Sequence, residues 1–221
     1  MHYFIFPEKD TTIYQASSSV NSGMDEILEI RKNVSDTGTS VDVSRILMKF
    51  DTTYFQEASA SGLIPHSGSR AAKYYLNLYD ANPKALATSQ SLYAYPVSGS
   101  WDMGTGRSYD NPQTADGCSW KYRYSDTNGT LWASGSGAED GAGGMWYSSS
   151  VAPAASASLN YKSQDLKIDV TGTVNAWLNG TIVNDGFLVK RSGSVGNNHP
   201  SASEGNTDRL GSFSFFSSNT H

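Results

Sequence analysis

The stretch AEDGAGG places two carboxylates side by side, and carboxylates are residue types that serve as general acid and general base. Glu139 and Asp140 occupy it. Adjacent carboxylates in a Gly-rich run do not by themselves flank one bond, so the pattern favours a solvated acidic loop. The sequence contains no Gly-x-Ser-x-Gly elbow, no Gly-x-Gly-x-x-Gly fingerprint and no phosphate-binding loop. We therefore expect no catalytic residues and a protein that is not an enzyme.

Residues that could hold a metal ion are few. The lone Cys118 excludes a zinc site built from several thiolates, and we expect it to be a small core residue. The segments SDTNGT and EGNTD offer oxygen ligands for calcium but lack the full spacing of a calcium loop. Metal-ligand spacing is also missing from the four histidines, which are His2, His66, His199 and His221. We expect no metal and no cofactor.

Three tryptophans are the candidate ligand-binding residues. Trp101, Trp132 and Trp146 lie in a stretch from about 99 to 150 that is rich in Gly, Ser, Asp and Asn. Loops of this length inside a compact domain usually carry function, and an indole ring offers a large stacking surface for a sugar. The sequence therefore predicts that any ligand contacts these three rings.

Two pairs of tyrosines could form a second aromatic surface. Strand alternation places Tyr75 and Tyr79 on the face opposite Leu76, and Tyr93 and Tyr95 alternate in the same way. An exposed row of tyrosines can stack against sugar rings, or it can pack against another protein. The sequence leaves both interpretations open.

Short segments of β-type composition, separated by Gly, Ser, Asn and Asp, must position these residues. They are YFIF, TTIYQ, ILEIRK, SRILMKF, KYYLNLYD, SLYAYPV, CSWKYRY, LKIDV, GFLVKR and LGSFSFF. Within SRILMKF, the residues Ile46, Met48 and Phe50 share one face. This spacing predicts an all-β protein with a jelly-roll-like antiparallel β-sandwich and long loops. We expect a single domain over 1–221 with a loop-rich insertion at about 99–150.

One segment, DVTGTVNAWLNG, predicts a single short helix near 171–178. Asp169 or Thr171 is the expected N-cap, and the helix closes the end of the sandwich as a lid. Trp177 lies on its apolar side, so we expect its indole ring in the core. Trp120 lies in a segment of β-type composition and is expected in the core as well.

Charge and hydropathy exclude some partners. The net charge is −5 at pH 7 and the basic residues are scattered, which argues against a nucleic-acid partner. No run of about 18 apolar residues occurs, so we expect no membrane span. The first ten residues lack the basic leader and the apolar length of a signal peptide, so we expect them to belong to the mature protein.

Several of these motifs resemble the DNRLRE-type β-sandwich domain, whose members include carbohydrate-binding modules. The matching pieces are DTTIYQ, RILMKFD, SWDM, GCSWKY, DVTGTVNAWLNG, NDGFLVK and FFSSNTH. The resemblance spans most of the chain, although each piece is short. It implies a β-sandwich and, as one alternative, a module that recognises a polysaccharide.

A narrower resemblance is to virion structural proteins of tailed phages that infect marine bacteria and cyanobacteria. The segments YFIFPEKDTTIYQ, MDEILEIRKNVSDTG, SRILMKFD and DGCSWKYR are similar to their recurring segments. This resemblance implies a non-enzymatic virion component, assembled in the host cytoplasm and associated with the tail, baseplate or fibre. Its partners would be other virion proteins and a host-surface glycan.

The end of the sequence departs from the DNRLRE-type pattern. In that family the aromatic-Ser corner, here FFSSNTH, is followed by one more strand, whereas this sequence stops at His221. An absent strand would leave unpaired backbone groups along a sheet edge. We therefore expect either further residues beyond His221 or a β-strand donated by a neighbouring subunit, in which case the protein is an oligomer or a component of an assembly.

Overall fold

The computed structural model describes residues 3–65, 71–84, 86, 88–124, 129–132, 142–148, 150, 154–160, 165–193 and 202–220. The described strands are β1 Lys9–Tyr14, β2 Ile27–Ile30, β3 Lys32–Val34, β4 Val41–Lys49, β5 Tyr75–Leu78, β6 Gln90–Pro96, β7 Tyr122–Tyr124, β8 Thr130–Leu131, β9 Ala155–Leu159, β10 Leu166–Asp169, β11 Phe187–Arg191 and β12 Phe213–Phe216. The described helices are α1 Thr53–Ala60 and α2 Thr171–Leu178.

The largest sheet, which we call the central sheet, has the strand order β1-β4-β11-β6-β9, and β3 also pairs with β4. All of its pairs are antiparallel. Val189 in the middle of β11 lies opposite Ile46 on one side and Ala94 on the other. Strands β4 and β11 have neighbouring strands on both sides, and buried side chains on both of their faces show that both faces are covered.

A second layer, the facing layer, covers one side of the central sheet. It consists of the pairs β10-β5 and β12-β2. A bridge between Asp80 and Phe215 joins the two pairs, and the Phe216 amide donates to the Tyr79 carbonyl at 3.0 Å. The C-terminal strand β12 is therefore flanked by β2 and β5. The further residues or the donated strand expected after FFSSNTH stay a prediction.

Between the two layers lies the inner core. Alternate residues of β4 and β11 point into it, among them Ile46, Met48 and Phe187. Helix α2 closes one end of this core, and its Trp177 ring packs against the Phe187 ring with centroids 4.7 Å apart. Trp177 is buried, which confirms the expectation that its indole ring lies in the core.

The opposite face of the central sheet is covered by loops, which form the outer core. Leu47 and Leu188 point into it from β4 and β11. The long stretch from about 99 to 150 supplies the covering aromatic residues, which are Trp101, Trp120, Trp132 and Trp146. Cys118 is buried in the same core, as expected.

Hydrogen bonds of the Asn21 side chain hold this long loop against the rest of the chain. Its buried side-chain amide donates to the Met103 carbonyl at 2.6 Å and to the Cys118 carbonyl at 2.8 Å. Its Oδ1 atom accepts from the Gly106 amide at 2.8 Å. Gly104 has a φ of +77°, and a Cβ atom there would lie 2.5 Å from Oδ1 of Asn21. Only glycine allows the loop to approach Asn21 this closely.

The observed architecture confirms the all-β, antiparallel, sandwich-like fold class, while the jelly-roll winding and the single domain stay predictions. Helix α2 confirms the helix near 171–178, but its N-cap is Val170, with no side-chain cap bond. Instead, the Thr171 amide donates to the Asp169 carboxylate at 3.0 Å. The expectation of one helix was wrong, because α1 is a second one. No helix within the described residues has the length and hydrophobicity required to cross a bilayer.

Candidate functional site

The three tryptophans predicted to bind a ligand are buried in the outer core. Trp101 and Trp132 are each 1% exposed and Trp146 is 5% exposed. The indole Nε1 of Trp101 donates to the Asp185 carbonyl, and that of Trp132 donates to the Ser119 carbonyl, both at 2.9 Å. These rings lie in loops, as predicted, but they offer no free face for a sugar in this conformation.

Beside these rings lies a buried cluster of charged side chains, the ion cluster, formed by Arg45, Lys190 and Glu204. The Arg45 guanidinium donates to both carboxylate oxygens of Glu204, at 2.9 and 2.8 Å, and the Lys190 ammonium donates to one of them at 2.7 Å. The charged carbon of Arg45 also lies 4.7 Å from the ring centroid of Trp120 and 5.2 Å from that of Trp146. Arg45 thus joins β4 to the loops of the outer core.

The carboxylate of Glu204 is held in its ionised form. Burial alone would raise the pKa of Glu204, but the charges of Arg45 and Lys190 and their hydrogen bonds keep it below its ordinary value. A carboxylate that accepts three charge-assisted hydrogen bonds has little capacity left to move a proton. The ion cluster therefore stabilises the fold and does not form an acid–base site.

A polar cleft of about 400 Å³ lies next to strand β6. Its described lining comprises Thr88, Ser89, Gln90, Ser91, Tyr93, Ser192, Ser203, Asp208 and Leu210. The Gln90 side chain already has hydrogen-bond partners, because its amide donates to the Leu210 carbonyl and its oxygen accepts from Arg191. Hydroxyl groups dominate the remaining surface, so the cleft can form hydrogen bonds with a polar molecule but places no pair of carboxylates around one bond.

Several residues considered for chemistry lie outside the described residues. They are Glu139, Asp140, His2, His66, His199 and His221. Within the part of the chain that the structure describes, no group of three or more His, Cys, Asp or Glu side chains could hold a metal ion. Burial raises the pKa of the Cys118 thiol, which disfavours a reactive thiolate at this position.

The most exposed apolar surface belongs to residues 3–6, which we call the aromatic arm. Tyr3, Phe4, Ile5 and Phe6 are 59%, 70%, 44% and 82% exposed. The arm precedes β1 and forms neither helix nor strand, although YFIF has the composition of a β-strand. Within the described chain, no backbone hydrogen bond is formed by residues 3–7. Four consecutive large apolar residues before Pro7 are the sequence signal that could have identified this surface.

Aromatic contacts connect the arm to helix α1. The rings of Tyr3 and Tyr54 are stacked, with centroids 5.9 Å apart. Tyr54 contacts Phe55 edge to face, and Phe55 contacts Tyr74, which packs against the inner core. Leu63, just after α1, is 77% exposed. This end of the sandwich thus carries an apolar surface that extends from the arm to α1.

A smaller aromatic surface lies on the outer side of the facing layer. Tyr75 and Tyr79 of the β5 segment are exposed, as the alternation predicted, and so is Phe216 of β12. Phe216 is linked to Tyr79 by a backbone hydrogen bond. The ammonium group of Lys167 lies 4.3 Å from the Tyr75 ring centroid and so occupies one face of that ring.

Tyr93 and Tyr95, the other predicted pair, lie on the outer-core side of β6. Their rings are stacked with centroids 6.2 Å apart, and Tyr95 also contacts Trp146 at 5.6 Å. Both are partly buried. They belong to the packing of the outer core more than to an open surface.

Comparison with known proteins assigns none of these surfaces. A scan against protein-family profiles finds no match for this chain, and a search of curated proteins finds none either.

Proposed function

We propose that this chain is a non-enzymatic structural component of a tailed-phage virion, associated with the tail, baseplate or fibre, that acts through protein–protein contacts. The observation that carries the proposal is the aromatic arm. Large apolar surfaces on folded proteins mark sites of interaction. Each Å² of apolar surface removed from water contributes about 25 cal/mol, so covering these side chains favours association.

The rest of the described chain is suited to act as a rigid support for such an interface. The central sheet packs on both faces, against the inner core and against the outer core. Arg45 of the ion cluster donates to the Gly143 carbonyl and Asn21 donates to the Cys118 carbonyl, and these buried hydrogen bonds hold the covering loops. A rigid support presents the arm in a defined position relative to neighbouring subunits, as an assembly requires.

The virion assignment is supported by the resemblance of the sequence to phage structural proteins. One of the resembling segments, YFIFPEKDTTIYQ, contains the whole aromatic arm and strand β1. The proposed location is the assembled particle, built in the host cytoplasm.

Tandem mass spectrometry of phage particles tests this proposal. Particles of a phage that encodes the chain are purified through two successive density gradients, and peptides are quantified at each step. We expect peptides of this chain to be enriched together with the major tail proteins. Depletion of the chain in parallel with host proteins would refute a structural role.

A second candidate function is the recognition of a polysaccharide. It is favoured by the exposed rings of Tyr75, Tyr79 and Phe216 on one sheet face, because aromatic rings stack against sugars. A glycan array probed with the parent and with Tyr79→Ala tests it, with Tyr109→Ala as the control at a separate exposed tyrosine. Binding that is lost only in Tyr79→Ala would support this function, and the absence of binding by the parent would remove it.

A further inference from the structure

Strand β9 is an edge strand without the features that normally prevent pairing with another chain. It ends the central sheet, and β6 is the one strand hydrogen-bonded to it among the described residues, while β10 of the facing layer lies close by. Its sequence ASASL contains no charged residue and no proline. By contrast, the facing-layer edge β10 carries Lys167 and Asp169. Since charges and prolines protect sheet edges, β9 is the edge at which a further strand can be added.

The aromatic arm has the properties of such an added strand. Its backbone groups have no partner within the described chain. In an extended conformation Tyr3 and Ile5 point to one side and Phe4 and Phe6 to the other, so both rows of side chains are apolar. The arm together with Pro7, residues 3–7, has the same length as the five residues of β9.

The arm cannot reach β9 of its own chain. It leaves the molecule at β1, and β1 and β9 are the two ends of the strand order in the central sheet. Four strand spacings of about 4.8 Å separate them, or roughly 19 Å, whereas five extended residues span about 17 Å. The β9 strand that accepts the arm must therefore belong to another molecule.

We infer that two copies of this chain form a dimer in which each aromatic arm pairs with strand β9 of the other copy. Each copy has a net charge of −5, and both contact segments, YFIF and ASASL, are uncharged, so the contact avoids close approach of like charges. This inference rests on the proposed role of the arm as a protein interface. If the dimer is not found, the proposed function still stands, because dimerisation in solution is measured independently of the presence of the chain in the particle.

The exposed area favours a reciprocal exchange. With about 200 Å² for a large aromatic side chain, the exposed parts of the four arm side chains amount to roughly 500 Å². One arm and its acceptor strand then bury about 1,000 Å², which is below the range of stable interfaces. Two arms bury about 2,000 Å², which lies at the upper end of the standard range.

A lipid bilayer is a less suitable partner for the arm. The unpaired backbone groups of the arm would find no hydrogen-bond partner in the hydrocarbon region of a bilayer, whereas a sheet edge provides hydrogen-bond partners for them. The charges next to the arm, Glu8 and Asp51 against Lys9 and Lys49, balance one another, so they provide no net attraction to an anionic membrane surface.

Size-exclusion chromatography with light scattering on the full chain tests the dimer. We expect the parent at micromolar concentration to have twice the chain mass of 23.8 kDa. The variant Phe4→Ser/Phe6→Ser and the edge variant Ser156→Lys should each have the mass of one chain. The matched controls Tyr109→Ser and Asn77→Lys, at exposed positions away from the arm and β9, should keep the parent mass.

Mixing the arm variant with the edge variant distinguishes strand exchange from general adhesion of apolar surface. The mixture retains one intact arm and one intact β9 edge, which is half of the reciprocal contact. At raised concentration it should therefore form a weak heterodimer that neither variant forms alone. Circular dichroism verifies that each variant is folded. The inference would be overturned if the parent were monomeric or if a dimer survived both substitutions. Binding of a monomeric parent to phosphatidylcholine vesicles through the arm would also overturn it.

Discussion

The guanidinium of Arg45 and the carboxylate of Glu204 are joined by two hydrogen bonds, at 2.9 and 2.8 Å, across a separation of 159 residues. Both side chains are almost completely shielded from solvent. Because a buried ion pair loses its hydration, each charge depends on its partner. The pair fixes the segment around Glu204 against the middle of β4.

Removal of the negative charge should destabilise the fold. In Glu204→Gln the charges of Arg45 and Lys190 remain buried without a counter-ion, so we expect the free energy of unfolding to fall by about 3 to 5 kcal/mol. Urea unfolding followed by tryptophan fluorescence measures this change. The control Glu57→Gln makes the same substitution on the exposed side of α1. Equal stabilities of the two variants would contradict a structural role for the ion cluster.

Lys32 should make stability depend on alkaline pH. Burial, together with the nearby charge of Arg191, lowers the pKa of Lys32 to about 8. Between that value and the ordinary lysine pKa of about 10.4, the unfolded chain holds a proton that the folded chain has released, so stability from this group rises with pH.

The comparison of the parent with Lys32→Met isolates this effect. Thermal unfolding from pH 7 to pH 10 should show the parent gaining stability relative to Lys32→Met as pH rises above about 8. The exposed Lys84→Met is the control and should run parallel to the parent. A constant difference between parent and Lys32→Met over this range would be inconsistent with the lowered pKa.

Two buried tryptophans should respond differently to replacement by phenylalanine. Trp101 donates its Nε1 hydrogen to the Asp185 carbonyl at 2.9 Å. The Nε1 atom of Trp177 is buried and has no hydrogen-bond partner among the described residues. Trp101→Phe leaves a carbonyl unpaired, at a cost of about 1 to 3 kcal/mol beyond the packing loss, whereas Trp177→Phe removes an unpaired donor.

Chemical denaturation of both variants measures the difference. Trp177→Ala is the reference for complete loss of the ring and should cost about 3 to 5 kcal/mol. If Trp177→Phe proved as destabilising as Trp101→Phe, the difference in their hydrogen bonding would have no energetic consequence.

The local patterns of the sequence predicted α2 and most of the strands, because alternation and turn residues act over a few neighbours. Strands β8 and β9 were not among the predicted segments. Ile46 and Met48 share a face as predicted, and Tyr75 and Tyr79 are exposed as predicted. Helix α1 was missed, since the side chains of TYFQEASA are on average less hydrophobic than those of the predicted helix α2.

The candidate site was harder to predict because it depends on contacts between distant segments. Gly and Ser around Trp132 suggested an open loop, but the central sheet needs a cover on its second face, and the tryptophans provide it. Conversely, YFIF resembles a buried strand, and it is identified as an exposed arm only because no strand among the described residues pairs with it.

Cross-linking mass spectrometry on purified particles tests the central claim, that the arm end of the chain is its interface, most directly. Lys49 lies beside the arm, where its ammonium group is 3.1 Å from the Glu8 carboxylate. Lys121 lies at the opposite end of β1, where its amide donates to the Ser18 carbonyl. We predict lysine cross-links to other subunits from Lys49 and few from Lys121. Cross-links from Lys121 with none from Lys49, or particles that lack the chain, would contradict the claim.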